Sequence, residues 1–176
     1  FASAQRPLSA QELAEQTDIP RSTIYRLIRT LTATGYVEDL PEAKYRLSTK
    51  ILKIGRGVLD QLEVHHVAKP VLRELRQQTG EMSVLAIREG LSIFMLGKYE
   101  TTHSVRMHTR MGTSAHLHST ALGKAILAFL PSTEREEVLQ QLRLPALTGR
   151  TITDKAALRA HLAQVRGAGF AIEDEE

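Results

Sequence analysis

The sequence has 176 residues, of which 42% are hydrophobic, enough for one good core or two small ones and too many for a disordered chain. Its 23 basic and 20 acidic side chains leave a net charge of +3, too mild to establish nucleic-acid binding by itself. The absence of cysteine excludes a disulfide framework and a thiolate metal site. Without a long apolar run we expect neither export nor membrane insertion, and hence a soluble cytoplasmic protein.

The first elements predicted are two helices, over residues 10–17 and 21–34, separated by a tight turn. Ser9 and Glu12 have the spacing of a capping box, in which each side chain satisfies a free backbone amide at a helix start. Pro20 interrupts the helical pattern and then fits the first turn of the second helix, where an amide is not needed. Gly35 is expected to end that helix in a left-handed cap.

The second helix has two contrasting faces. The stripe predicted to be buried consists of Ile24, Leu27, Ile28 and Leu31. The opposite face carries Ser22, Tyr25, Arg26 and Arg29. Hydroxyl, phenol and guanidinium groups with no acid among them suit the base edges and phosphates of a DNA major groove.

Residues 36–47 are predicted to form a two-stranded basic wing, with Pro41 in the turn. A helix-turn-helix followed by a wing is typical of DNA-binding domains in which the start of the second helix enters the major groove. Lys44 and Arg46 flank Tyr45 and would add salt-dependent contacts to the DNA backbone or minor groove. The alternative is an ordinary solvated helix face. The predicted DNA-contacting residues are Arg21, Ser22, Thr23, Tyr25, Arg26, Arg29, Lys44, Tyr45 and Arg46.

The rest of the chain mixes helices and strands. Two amphipathic helices are expected before Gly80, then a hairpin over residues 84–96, half-buried strands around residues 105–107 and 115–117, and helices over residues 122–129, from Thr133, and over residues 154–166. We therefore predict an α+β fold with a winged helix-turn-helix domain (1–49), a linker helix (50–66) and an α/β domain with an antiparallel sheet (67–176). Residues 169–172 look like a strand without a partner, so the last domain is expected to be incomplete.

Three segments together resemble the IclR (isocitrate-lyase-regulator) family of bacterial transcription factors. They are the helix-turn-helix of residues 8–36 with its wing, the run 112–125 with Gly123 and Lys124 at a helix start, and the glycine-aromatic-acidic end, residues 165–176. The resemblance implies a regulator and not an enzyme, with an effector-binding domain at residues 67–176. It also implies operator DNA as partner, assembly into dimers or tetramers, and a small organic-acid or aromatic effector.

Residues 98–100, 105–107, 110–112 and 118–124 are similar to repressors of catabolic operons that respond to 2-keto-3-deoxygluconate. The helix start at Ser119 is the centre of the expected ligand site, because unpaired amides and the helix dipole attract a carboxylate. The resemblance places pocket positions at Ala121 and Leu122 and an acidic one at Glu173. The predicted ligand-binding residues are Leu85, Met95, Ser119, Ala121, Leu122 and Glu173.

These residues also have plain structural interpretations. Ser119 or Thr120 can simply cap the helix, Gly123 can simply allow close packing, and Leu85 and Met95 can be ordinary core. Arg106 and Arg110 could pair with an acidic ligand, although arginines on a strand are usually just solvated. Further pocket residues are expected from strands that follow the terminal acids.

Other activities are predicted to be absent. His116 and His118, with His103 or His108, could in principle hold zinc, but no cysteine or acid accompanies them closely, so we expect no metal and no cofactor. A hydrolase triad of Ser119, His118 and Glu173 lacks a nucleophile elbow, so we expect no catalytic residue, and a small hydrolase is kept only as an alternative function. A ligand sensor that acts through protein contacts alone, with the winged domain as a dimerisation module, stays open as an alternative.

Overall fold

Helices and short antiparallel strands alternate along the chain, which confirms the predicted α+β class. The computed structural model describes residues 1–4, 6–101, 103 and 112–176. Its elements are β1 Leu8–Ser9, α1 Ala10–Thr17, α2 Arg21–Ala33, β2 Val37–Leu40, β3 Lys44–Leu47, α3 Lys50–Gln61, α4 Glu63–Thr79, β4 Ser83–Glu89, β5 Ser92–Tyr99, β6 Ser114–His116, α5 Ala121–Phe129, α6 Ser132–Gln141 and α7 Lys155–Ala168. They form two units, Phe1–Glu63 and Val64–Glu176. Within the described ranges, no helix is both long and apolar enough to cross a membrane.

The first unit contains a three-stranded sheet in the order β1, β3, β2. Strands β2 and β3 form the predicted two-stranded wing, with Val37 paired to Leu47 and Leu40 to Lys44. Strand β1 was not predicted, and it adds a third strand through the pairs Leu8–Tyr45 and Ser9–Lys44. The additional strand has only two residues, too few for an alternating pattern to show in the sequence. The core of this unit consists of Leu8, Ala10, Leu13, Ile24 and Ile28.

Helix α2 buries a narrower stripe than predicted. Ile24 and Ile28 are buried, but Leu27 and Leu31 are 45% and 36% exposed. Among the described elements α2 packs mainly against the short α1 and against β2. These partners cover one side of the helix, and the two leucines lie outside the contact.

The C-terminal end of α2 is bonded to the start of α3. Gly35 has a φ of 77°, which confirms the predicted left-handed cap, and the Tyr36 amide donates to the Leu31 carbonyl at 2.8 Å. Lys50 Nζ donates to the Thr34 carbonyl at 2.7 Å and lies 4.5 Å from the centre of the Tyr36 ring. A lysine at this end also complements the negative pole of the helix dipole.

The two helices predicted before Gly80 are both present, but the first, the linker helix expected over residues 50–66, ends earlier than predicted. Helix α3 ends at Gln61, Leu62 is extended with a ψ of 102°, and α4 begins at Glu63. Neither glycine nor proline marks this break, so the sequence pattern did not reveal it. Helix α3 has no buried residue in the described structure. Its exposed apolar side chains are Ile51, Leu52, Ile54 and Val58.

The second unit is built on the antiparallel sheet β4, β5, β6. The predicted hairpin is confirmed, and Gly90 in its turn has a φ of 59°. Helices α5 and α7 pack against each other over the core. That core consists of Ile93, Leu117, Leu127, Ala128, Val138, Leu139, Leu142, Leu158, Leu162 and Val165. The strand predicted around residues 105–107 lies outside the described residues.

Two local predictions in the second unit are wrong. Residues 169–172 form no strand, because Gly169 caps α7 with a φ of 84° and the following residues pair with no described strand. Phe170 consequently remains 60% exposed. Helix α6 begins directly after Pro131, so Thr133 lies inside its first turn and does not cap it.

The Glu12 carboxylate forms hydrogen bonds and ion pairs with several residues of the first unit. Its carboxylate accepts the Ser9 amide at 2.7 Å, which completes the predicted capping box. It also lies 2.7 Å from an Arg6 guanidinium nitrogen and 3.2 Å from Lys44 Nζ. The Arg6 hydrogen bond, and after it the bonds from Ser9 and Lys44, hold the pKa of Glu12 well below the usual carboxyl range.

Replacing Glu12 with Gln should make the first unit less sensitive to acid. The pKa of Glu12 in the folded state lies below its ordinary value of 4.5. Ionised Glu12 therefore stabilises the folded first unit above that value, and this stabilisation is lost as the pH falls through the folded-state pKa. In urea unfolding, the wild type should therefore exceed Glu12→Gln at neutral pH, and the difference should shrink towards acid. Thr17→Ala is the control, because the bond from the Thr17 hydroxyl to the Leu13 carbonyl involves no ionisable group, so the loss of stability should be the same at every pH. A wild-type advantage that is independent of pH would contradict the assignment.

Candidate nucleic-acid interface and ligand site

The outer face of α2 is a continuous polar surface. It borders a shallow cavity of about 520 Å³ lined by Ser22, Tyr25, Arg26, Arg29, Thr30 and Ala33. Arg21 Nη2 donates to the Tyr25 hydroxyl at 3.3 Å, and its guanidinium carbon lies 5.6 Å from the centre of that ring. Thr23 is half-buried beside this surface. The lining contains donors and no acid, as a surface that faces phosphates requires.

The cations of α2 and those of the wing differ in their counter-charges. Arg26 and Arg29 form no ion pair with any residue that the structure describes. In the wing, Lys44 Nζ lies 3.2 Å from Glu12, and Arg46 Nε lies 2.8 Å from Glu38. The wing charges are therefore neutralised within the chain, whereas the helix charges are available to a phosphate or a guanine edge.

Tyr45 lies in the groove between α2 and the sheet. It is half-buried against the core of the first unit and, with Tyr25 and Asp39, lines a cavity of about 310 Å³. Burial, and next the charge of Asp39, raise the pKa of the Tyr45 phenol. Tyr45 is therefore a neutral hydroxyl held by packing, so a DNA contact through it would use the phenol oxygen at the groove.

The start of α5 lies very close to the preceding turn. A Cβ atom on Gly123 would be 2.4 Å from the carbonyl oxygen of Leu117, far inside van der Waals contact. The Thr120 hydroxyl accepts the Gly123 amide at 3.0 Å, so Thr120 and not Ser119 caps the helix. Ser119 is 2% exposed, and Leu122 packs at the edge of the core. The structural roles considered for Thr120 and Gly123 are thus both present.

Lys124 is the bulkiest fully buried side chain among the described residues. Its ammonium pairs with the carboxylate of Glu176, whose side chain is only 9% exposed. The helix predicted over residues 122–129 is confirmed as α5, and its buried residues are Gly123, Lys124, Leu127 and Ala128, whereas Phe129 is 54% exposed. Sequence reasoning missed this pair; the available signal was a lysine within an apolar helix start and a later run of acids.

The acidic segment, residues 173–176, lies across the start of α5. Glu173 Oε2 accepts the Ala121 amide at 3.3 Å, so these two predicted ligand residues are adjacent. Arg150 Nη1 lies 2.5 Å from Asp174, and its Nε lies 3.5 Å from Glu175. A carboxylate of the chain therefore already occupies an amide at the positive pole of the helix.

His118 is buried beside this segment. Its Nε2 lies 3.1 Å from the Pro145 carbonyl, which can only accept, so this nitrogen carries the proton. Nδ1 of His118 and Oε2 of Glu176 have no hydrogen-bond partner in the described structure. Burial lowers the pKa of His118 despite the Pro145 bond, so the ring is neutral at neutral pH. Strand β6 ends at the exposed His116, so His116 and His118 do not lie on one face of a strand. The described ranges contain no cluster of side chains that could hold a metal ion.

Leu85 and Met95 do not line one cavity, contrary to expectation. Met95 pairs with Ala86 and packs on the α5 side of the sheet. Leu85 pairs with Gly97 across an irregularity between Leu85 and Ala86, and its Cβ shares the opposite face with His65. Met95 and Gly97 would share a face in a regular strand, so it is the irregularity in the pairing that separates Leu85 from Met95. Arg106 and Arg110 lie outside the described residues.

A winged helix-turn-helix unit followed by a separate α+β unit with a polar site at a helix start defines the class of DNA-binding regulators that carry a sensory domain. The chain belongs to the IclR family. It matches the IclR helix-turn-helix domain over residues 1–41 and the bacterial transcriptional regulator IclR C-terminal domain over residues 56–176.

Relatives of known name are transcriptional regulators and not enzymes. The chain is 32% identical over 170 residues to the regulator BhcR of Paracoccus denitrificans, covering 96% of this chain and 61% of that protein. It is 32% identical over 173 residues to KdgR of Escherichia coli, covering 98% and 66%. An IclR homologue from Microbacterium hydrocarbonoxydans, solved in complex with 4-hydroxybenzoate, is 27% identical with a TM-score of 0.80, covering 96% and 70%. The chain thus spans about two thirds of these relatives.

Replacing Lys124 with Met should destabilise the second unit by about 3–5 kcal/mol, because the Glu176 carboxylate would remain buried without its partner. Replacing both, Lys124→Met with Glu176→Leu, should recover most of that loss. Urea unfolding of the single and double variants measures the coupling. A double variant that is as unstable as the sum of the two single ones would show that the pair is not coupled.

Proposed function

We propose that the chain carries the DNA-binding and sensing parts of a transcription regulator. Its affinity for operator DNA is controlled by a small organic acid. The observation that carries the DNA assignment is the contrast between Arg26 and Arg29, unpaired on the outer face of α2, and the wing cations, each held by an acid. Steric occupation of an operator is the simplest output, so we propose a repressor of a catabolic operon. An acid effector would then release it from DNA.

The proposed effector site is the start of α5, with Ser119, Ala121, Leu122 and Glu173 as contacts. Because Glu173 already accepts the Ala121 amide, a ligand carboxylate must either displace Glu173 or bind beside it. A ligand hydroxyl, in contrast, can donate to the Glu173 carboxylate. 2-Keto-3-deoxygluconate carries both groups and is the candidate that the sequence resemblance favours. The complex of a homologue with 4-hydroxybenzoate, also a hydroxy acid, supports this ligand class.

A homodimer or a homotetramer, that is, a dimer of dimers, is the proposed assembly. Ile51, Leu52, Ile54 and Val58 are all exposed on α3, with Leu52 71% exposed. An apolar helix face without a buried residue in the described structure is costly in water unless another surface covers it. A second copy of the same helix provides a matching apolar face, and a twofold dimer would present two recognition helices to an operator with two half-sites.

Replacing Arg26 with Ala should weaken operator binding by about 1–3 kcal/mol and lower the salt dependence by roughly one phosphate contact. Arg46→Ala is the matched control and should have a smaller effect, because Glu38 already neutralises Arg46. Gel-shift titrations at several salt concentrations, on fragments that the full chain selects from a random DNA library, measure both. Equal losses for the two variants would contradict the role of α2. The absence of salt-dependent DNA binding would favour a sensor that acts through protein contacts.

2-Keto-3-deoxygluconate should stabilise the chain by about 2.7 kcal/mol at one hundred times its dissociation constant and should release the selected DNA. Thermal unfolding in the presence of this acid, of 4-hydroxybenzoate and of gluconate compares the stabilisation by the three acids and so tests the ligand class. Glu173→Gln should change the affinity, upwards if the ligand carboxylate competes for the Ala121 amide and downwards if Glu173 accepts a ligand hydroxyl. An affinity that is identical in the wild type and Glu173→Gln would remove this site from the proposal.

A further inference from the structure

A second cavity, of about 230 Å³, lies between α6 and α7 in the second unit. It is lined by Arg135, Glu136, Arg159, Leu162, Ala163 and Arg166. Three guanidinium groups face one carboxylate, so the lining carries an excess of two positive charges. None of the residues assigned above to DNA or to the effector lines this cavity.

Arg135 and Arg166 are held together by one acceptor. Each donates from Nη1 to the carbonyl oxygen of Ala128, at 3.5 Å and 3.2 Å respectively. Ala128 lies in the last turn of α5, so both arginines help to satisfy the end of that helix. A guanidinium has five N–H donors, and this contact uses one of them in each arginine. The remaining donors, together with the charge, are available to another acceptor.

The charges of Arg135 and Arg166 are not compensated within the described structure. Neither arginine forms an ion pair with a described residue, and like charges held close together repel each other. Glu136 is the acid of the cavity, and Arg159 binds it through Nε at 2.9 Å and through Nη2 at 2.8 Å. The Arg159 hydrogen bond, with a smaller effect of the Arg135 charge, lowers the pKa of Glu136. Its carboxylate is therefore ionised at neutral pH and fixes the orientation of Arg159.

We propose that this cavity binds the phosphate group of a small phosphate monoester. A phosphate dianion matches the excess of two charges, and its oxygens accept bidentate bonds from the planar guanidinium groups of Arg135 and Arg166. Leu162 and Ala163 provide an apolar wall for the organic part of the ester. The second unit would then have a phosphate-binding site that is separate from the proposed effector site at the start of α5. It does not depend on the proposed effector.

Titration of the full chain with inorganic phosphate and with glycerol 2-phosphate tests this site, at constant ionic strength and with glycerol as the uncharged control. We expect saturable stabilisation in thermal unfolding and a dissociation constant by calorimetry. Arg135→Gln and Arg166→Gln should each weaken binding at least tenfold. Arg143→Gln, which removes an exposed arginine from the loop after α6, should leave the binding unchanged.

Glu136→Gln separates a ligand site from a structural role of the arginines. If the cavity binds phosphate, removing the carboxylate raises the excess charge to three, and the affinity should increase several-fold. If the arginines serve only to close the end of α5, their variants lose stability, but phosphate neither saturates the wild type nor binds Glu136→Gln more tightly. That result, or equal phosphate binding by Arg143→Gln and Arg166→Gln, would overturn the proposal. It would leave the effector site at α5 untouched.

Discussion

The contact between Gly123 and the backbone of Leu117 determines the arrangement of the ligand side of the second unit. Because there is no space for a Cβ atom, the first turn of α5 lies flat against the preceding turn and directs Lys124 into the interior. A buried ammonium is tolerated only beside an acid, and Glu176 provides it. That pair in turn holds the acidic segment across the helix start, where Glu173 reaches the Ala121 amide. One glycine thus decides which groups line the proposed ligand site.

The two candidate surfaces differ in whether the chain itself supplies counter-charges. On α2, the arginines are left without counter-charges, so a polyanion gains their full interaction when it binds. At the start of α5 the chain already supplies its own anions, so an acidic ligand must offer more than charge in order to bind. Hydroxyl groups, shape and apolar contacts then distinguish one organic acid from another. Selectivity among similar metabolites is a natural consequence of such a site.

Local signals in the sequence predicted local structure well. The capping box at Ser9, the left-handed cap at Gly35 and the hairpin at Gly90 each depend on a few neighbouring residues, and each is confirmed. Wrong predictions concern partners that are distant in the chain. The exposure of Leu27, the break at Leu62 and the missing strand at residues 169–172 depend on what packs against them, and periodicity does not contain that information.

The contrast between local signals and distant contacts also holds for the candidate ligand site. The resemblance gave pocket positions to both Ala121 and Glu173, which belong to recognisable motifs, and the structure brings the two together through a hydrogen bond. It did not reveal that Lys124 is buried, since lysine is normally a surface residue and its acid lies 52 positions further along the chain. Nor did it reveal that Leu85 and Met95 face opposite sides of the sheet, because an irregularity in strand pairing reverses the alternation there.

Lys50 connects the start of α3 to the C-terminal end of α2, through its bond to the Thr34 carbonyl and its contact with the Tyr36 ring. A reorientation of α3 would therefore act through Lys50 on the end of α2, the helix proposed to enter the DNA groove, and would shift its proposed contacts together. Control exercised through α3 would be steep, because a small tilt removes many weak interactions at once and does not weaken them one by one.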